Sequence, residues 1–217
     1  MAKLKEKGLE DDTLVVFTSV HEKIVGAPAA QCHKGTPQDV SVRIPLIMLL
    51  PGRLPPGSVS EMLFGALDLP PTLLGLMGCD VPASWHGRNL ARAIRDGDDD
   101  AVESVPIFNF RPSWRGVYTR RYTFAFENIE RTPDIQSRFG SDLPGRRRHT
   151  HNHNVLYDRE SDPLQLQNLV NSTEHIPLAM ELTQATHDWC NYFKDPFLSY
   201  RRMIGIMGER EATRPSS

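Results

Sequence analysis

The apolar run Thr13-Leu-Val-Val-Phe-Thr18 ends in Ser19-Val20-His21-Glu22, and Lys34-Gly-Thr-Pro37-Gln-Asp39-Val-Ser41-Val-Arg43-Ile-Pro45 follows a little further on. An apolar strand that delivers a polar tip to a loop is a way of presenting reactive side chains on a rigid support. The Lys34 ammonium is a mobile point charge suited to sulfate or phosphate oxygens, or else simply a solvated loop lysine. The His21 imidazole can ligate a metal or hold its loop through a backbone hydrogen bond. His33, beside the lysine, reads as a surface residue. Asp39 and Arg43 are expected to tie the Lys34 loop to the neighbouring strand through a charge-assisted hydrogen bond.

These residues resemble the late catalytic-domain segment of the sulfatases, in the alkaline-phosphatase-like superfamily. In that family the strand ends in Ser-Asp-His-Gly, whose Asp and His bind a divalent cation. A lysine in a K-x-x-P-W-D-E-S-I-R-V-P string then holds the sulfate. Ser19, His21, Lys34, Pro37, Asp39, Ser41, Arg43 and Pro45 match. The resemblance therefore implies His21 as a metal ligand and Lys34 as a substrate-binding residue. The metal-binding Asp is replaced by Val20, and the following Gly by Glu22. Calcium and magnesium are held by oxygen ligands carrying negative charge, and valine offers neither lone pair nor charge. The expectation is that the family's divalent cation is not retained in this chain.

Sulfate-ester cleavage needs a nucleophile, a polarising cation and groups to handle the leaving oxygen. The family's nucleophile is a formylglycine made within C/S-x-P-S-R. Cys32, Cys79 and Cys190 all lack the downstream Pro and Arg, and Ser104-Val-Pro106 continues Ile-Phe. Formylglycine is therefore absent, and no catalytic residue is expected in this chain.

The elements that position these groups are legible in outline. Leu4 to Leu9 reads as a helix end with Gly8 at its C-cap. Thr13–Thr18 and Ile44–Leu50 lack alternation, so both are expected to be strands buried on both faces of an α/β sheet. Asp68-Leu-Pro-Pro71-Thr-Leu-Leu-Gly-Leu-Met-Gly78 predicts a short helix with Asp68 as cap and Gly78 as stop, and resembles the family's D-L-x-P-T-L-L-x-L-x-G. A brief helix over Asn89–Arg95 follows. Strands are predicted over Val105–Phe110, Trp114–Thr119, Tyr122–Glu127 and Val155–Asp158, with Arg120-Arg121 as a turn. The last helix is predicted over Ile176–Phe193, with Ala179, Leu182, Thr186, Trp189 and Phe193 on one face. Trp114-Arg-Gly-Val-Tyr-Thr-Arg-Arg-Tyr122 resembles W-R-G-V-R-T-x-R-Y. Leu156-Tyr-Asp158-Arg-Glu-Ser-Asp162-Pro-Leu-Gln165-Leu-Gln-Asn168-Leu resembles L-Y-D-x-x-x-D-P-x-Q-L-x-N-L. Both belong to the family's C-terminal subdomain, a small antiparallel sheet packed on one helix.

The chain has 217 residues, 39% hydrophobic and 24% charged, at a formal net charge of -2. These are ordinary globular values, and they give no reason to expect nucleic-acid or membrane binding. Arg146-Arg-Arg-His149-Thr-His151-Asn-His153 has metal-chelating and polyanion-binding chemistry, but without an aromatic platform it reads as a solvated stretch of an exposed loop over 128–152. Three widely spaced cysteines argue against a disulfide framework, and Cys190 is expected on a packed helix face. Trp85, Trp114 and Trp189 read as core or packing residues and not as a carbohydrate stacking platform. The charged start has no signal-peptide core, which predicts a cytoplasmic protein.

The fold expected is α/β: the C-terminal part of the alkaline-phosphatase-like sulfatase fold. It comprises a remnant of the large central sheet over 1–78 and a small antiparallel-sheet-and-helix subdomain over 79–217. The resemblance implies a sulfuric ester hydrolase scaffold with a sulfate ester as substrate class, here a fragment or pseudoenzyme inactive alone. The alternative is an interaction module, partnered by a missing N-terminal sulfatase half or by self-association.

Overall fold

A computed structural model describes residues 1–20, 35–109, 114–127 and 154–195. The chain divides into two compact units, 1–20 with 44–105 and 21–43 with 106–217. The sequence boundary between 78 and 79 thus falls inside the first of these units.

In the first unit, α1 (Ala2–Glu6) is followed by Gly8 in the left-handed region, φ +66. The Gly8 and Leu9 N–H groups donate to the Lys5 and Leu4 carbonyls, closing the helix as its glycine predicts. Strands β1 (Val15–Thr18) and β2 (Leu46–Leu49) pair antiparallel, with Phe17 opposite Ile47 and Val16 opposite Met48. One face of this pair packs: Met48 joins Leu14 and Leu54 against Leu50, Leu76 and Ala91. The other face is open, with Phe17 61%, Ile47 62% and Leu49 39% exposed. The expectation of burial on both faces is corrected, because nothing in this unit covers the second face.

Helix α3 (Leu69–Met77) carries prolines in its first turn and ends at Gly78, φ +77. Asp68 does not cap it as expected. Its buried carboxylate instead accepts from Arg88 Nε at 3.1 Å, Arg88 Nη2 at 2.7 Å and the Arg88 backbone N–H at 2.8 Å. A buried carboxylate takes the strongest charged donor within reach, and the bidentate guanidinium outcompetes a helix end. Helix α4 (Ala91–Asp96) completes the unit. Trp85 is 42% exposed and not a core residue.

A four-stranded sheet follows, ordered β3 (Ser104–Phe108), β4 (Trp114–Thr119), β5 (Tyr122–Glu127) and β6 (Val155–Asp158); the second unit takes in β3 from Pro106 onward and the other three strands. β4–β5 and β5–β6 are antiparallel, with Gly116 opposite Ala125 and Phe124 opposite Leu156. Helix α5 (Ile176–Tyr192) covers one face, where Val117, Phe124, Phe126 and Leu156 meet Ala179, Leu182 and Cys190. Burial pushes the Cys190 thiol up to about 12, so it packs as an inert apolar group. Alternation along each strand sends Trp114, Ala125, Val155 and Tyr157 to the opposite face, where Val42 and Tyr118 join them. That face is covered by the segment carrying Asp39.

Candidate functional site

His21 and Lys34, the two expected site residues, lie outside the described residues, as do Cys32, the 128–152 loop and the Arg146–His153 stretch. Val20 is 91% exposed and presents only methyl groups where the resembling family has a carboxylate. Among the described residues, no group of three or more His, Cys, Asp and Glu is placed to hold a metal ion.

The segment that follows Lys34 is held by a dense set of hydrogen bonds. Gly35 has φ +90, where a side chain is strained, and an added Cβ would lie 3.0 Å from Asn109 Nδ2. Both of its peptide groups are held. Its N–H donates to Ser41 Oγ at 3.0 Å. Its carbonyl accepts from Asn109 Nδ2 and from Trp114 Nε1, each at 2.8 Å. Trp114 is 2% exposed, so its indole N–H needs a partner, and the Gly35 carbonyl supplies one. Thr36 and Pro37 are buried, and a single helical turn, α2 (Asp39–Val42), follows.

Asp39 is the hub of the second anchor, and here the expected pairing is corrected. Arg43 Nη1 lies 3.9 Å from the Asp39 carboxylate with its side chain 74% exposed, so it makes no charge-assisted hydrogen bond. The partners come from the sheet. Tyr118 Oη donates to Asp39 Oδ2 at 3.0 Å, and Gln165 Nε2 donates to Asp39 Oδ1. The Asp39 N–H returns a bond to Gln165 Oε1 at 3.0 Å. Gln165 makes this clasp from φ +54, a left-handed conformation unusual for a residue with a side chain. Arg159 lies over the Tyr118 ring at 3.6 Å, donates to Thr123 Oγ1 at 2.8 Å, and holds Nε 4.0 Å from Asp39. Nearby, Gln38 Nε2 reaches Tyr157 Oη at 3.2 Å.

Burial and the adjoining Asp39 carboxylate push the Tyr118 phenol up to about 12, so it stays a donor at neutral pH. Burial draws Arg159 downward from an ordinary value so high that the group remains a cation. These groups are committed to one another, and the arrangement fixes backbone; it does not move protons. Tyr118, Arg159 and Gln165 were present in the sequence strings but had no assigned role. Their partner lies 79 to 126 residues away, and no spacing rule reaches that far.

Residues 1–79 match the sulfatase family model. An endo-4-O-sulfatase of Bacteroides thetaiotaomicron is 28% identical over 184 residues, covering 76% of this chain and 33% of the relative. An ulvan-active sulfatase of Formosa agariphila is 26% identical over 185 residues, covering 81% and 32%. The crystal structure of a sulfatase, yidJ, from Bacteroides fragilis superposes with a TM-score of 0.73 at 26% identity, covering 92% of this chain and 40% of the other. The chain spans about a third of the length of the curated relatives it matches.

Proposed function

We propose that this chain, a member of the sulfatase family, is a non-catalytic C-terminal part of a sulfatase scaffold that carries an anion-receiving lysine, Lys34. On this reading it does not hydrolyse sulfate esters by itself. The observation that carries the proposal is Val20, an exposed valine beside His21 where the family places a metal-binding carboxylate. Lys34 keeps its place in a matched string, and the backbone after it is held by side chains from the sheet. A sulfate ester is the substrate class such a lysine would receive.

A second reading is favoured by the open apolar face of Phe17, Ile47 and Leu49. On that reading the chain is one part of a split sulfatase, and a polypeptide equivalent to the N-terminal portion of its relatives covers this face.

Cation binding tests the first reading. His21 is one neutral donor, whereas a hard divalent cation needs several charged oxygens. Titration calorimetry with calcium or magnesium is expected to give only weak, non-stoichiometric heats. The Val20→Asp variant should give the same result, since one added carboxylate does not complete a site. A stoichiometric site of sub-micromolar affinity in the unaltered chain would overturn the proposal.

A further inference from the structure

We propose that Gly35–Val42 is a latch on the four-stranded sheet: Tyr118, Gln165 and Arg159 hold it shut by receiving the Asp39 carboxylate, and it opens as one body while the sheet stays folded. The segment supplies no strand to that sheet. The hydrogen bonds that fasten it all run through side chains. At one end Asn109 Nδ2 and Trp114 Nε1 donate to the Gly35 carbonyl, and in the middle Gln38 Nε2 donates to Tyr157 Oη. At the other end Tyr118 Oη and Gln165 Nε2 donate to the Asp39 carboxylate, with Arg159 Nε 4.0 Å away. Detachment therefore leaves the β-ladder intact, which is the condition for a local opening.

The segment is also tied to itself. The Gly35 N–H donates to Ser41 Oγ at 3.0 Å, and the Ser41 and Val42 N–H groups donate to the Gln38 carbonyl at 2.8 and 3.1 Å. These bonds can travel with it, so its two ends move together. Closure is opposed by two features. Thr36 Oγ1 and Gln38 Oε1 are buried with no hydrogen-bond partner among the described residues, an unfavourable state that opening to water relieves. Gln165 makes its clasp from φ +54, where a side chain is strained. The contacts to Asp39 are the strongest that oppose release, because one partner is charged. Opening bares the face of Trp114, Ala125, Val155 and Tyr157, while α5 keeps the core around Val117, Phe124 and Leu156 covered.

The competing explanation is that the segment and the sheet form one cooperative body, so that the segment leaves only when the sheet unfolds. Hydrogen exchange on the full-length chain separates the two. The reporter is the Trp114 indole N–H, bonded to Gly35 at the end of the latch away from the carboxylate. The amides of Val117 and Phe124, both fully buried, report the sheet. Asp39→Ala removes the carboxylate. Gln165→Gly removes its partner at a φ that glycine adopts freely, so the variant introduces no backbone strain.

In the parent chain, the protection factor of the Trp114 indole should be at least about tenfold below those of the sheet amides. Each variant should lower it about tenfold further, as for a lost hydrogen bond to a charged group, and leave Val117 and Phe124 unchanged. Equal protection of indole and sheet amides in the parent would overturn the latch, as would unchanged indole protection in either variant. If Asp39→Ala loosens the sheet as well, Gln165→Gly decides: sheet amides that loosen there by the same factor as the indole would overturn it.

Discussion

Gly116→Ala is expected to abolish folding of the second unit. A Cβ at this position would lie 2.0 Å from the Phe124 carbonyl oxygen and 2.8 Å from both Cα and Cβ of Ala125. The first of these is far inside van der Waals contact, and it involves backbone, which has no rotamer to retreat into. β5 cannot move away, because Phe124 and Ala125 are fully buried and β6 pairs with its other edge. The strands must separate for the methyl to fit, which sacrifices the core around Val117, Phe124 and Leu156. The cost is set at more than about 4 kcal/mol, against a whole-domain stability of about 5–15 kcal/mol. Circular dichroism should show loss of the cooperative melt. A variant that melts within a few degrees of the parent would mean that β4 and β5 are not paired in this register.

The second large effect concerns association. Phe17 and Ile47 face one another across β1 and β2 and are both mostly exposed. An exposed apolar cross-strand pair on a short two-stranded sheet favours pairing with other chains. The parent chain is expected to self-associate with rising concentration. Phe17→Thr combined with Ile47→Thr should shift it to monomer by light scattering. Threonine is β-branched, as Ile47 already is, and both replaced side chains are mostly exposed, so stability should change little. A parent chain that stays monomeric at high concentration would show that this face does not drive association.

Much of the second unit was legible in the sequence because its signals are local. β4, β5 and β6 fall where the predicted strands were placed, and α5 differs by one residue at its end. Cys190 is buried, as its place on the helix face implied. What could not be read depends on distant partners. An apolar run identifies β1 and β2 as strands, but it cannot say whether their second face is covered within the same chain. Asp39 has Arg43 one helical turn away, and sequence spacing selects that neighbour. The structure selects Tyr118 and Gln165, because buried donors of fixed geometry hold a carboxylate better than a solvated guanidinium. Trp85 shows the same limit: a tryptophan's size suggests a core, yet only the fold decides which surface it meets. Gly116 was legible as a member of the W-R-G-V string, but the reason for it, the approach of β5, was not.

We propose that this chain has the fold of part of a sulfatase and does not cleave sulfate esters by itself. Turnover of an aryl sulfate by the purified chain, followed through a sizing column, tests that most directly. No hydrolysis above background is expected in any protein-containing fraction, with calcium or magnesium present. Activity that tracks the protein peak and disappears in Lys34→Ala would contradict it.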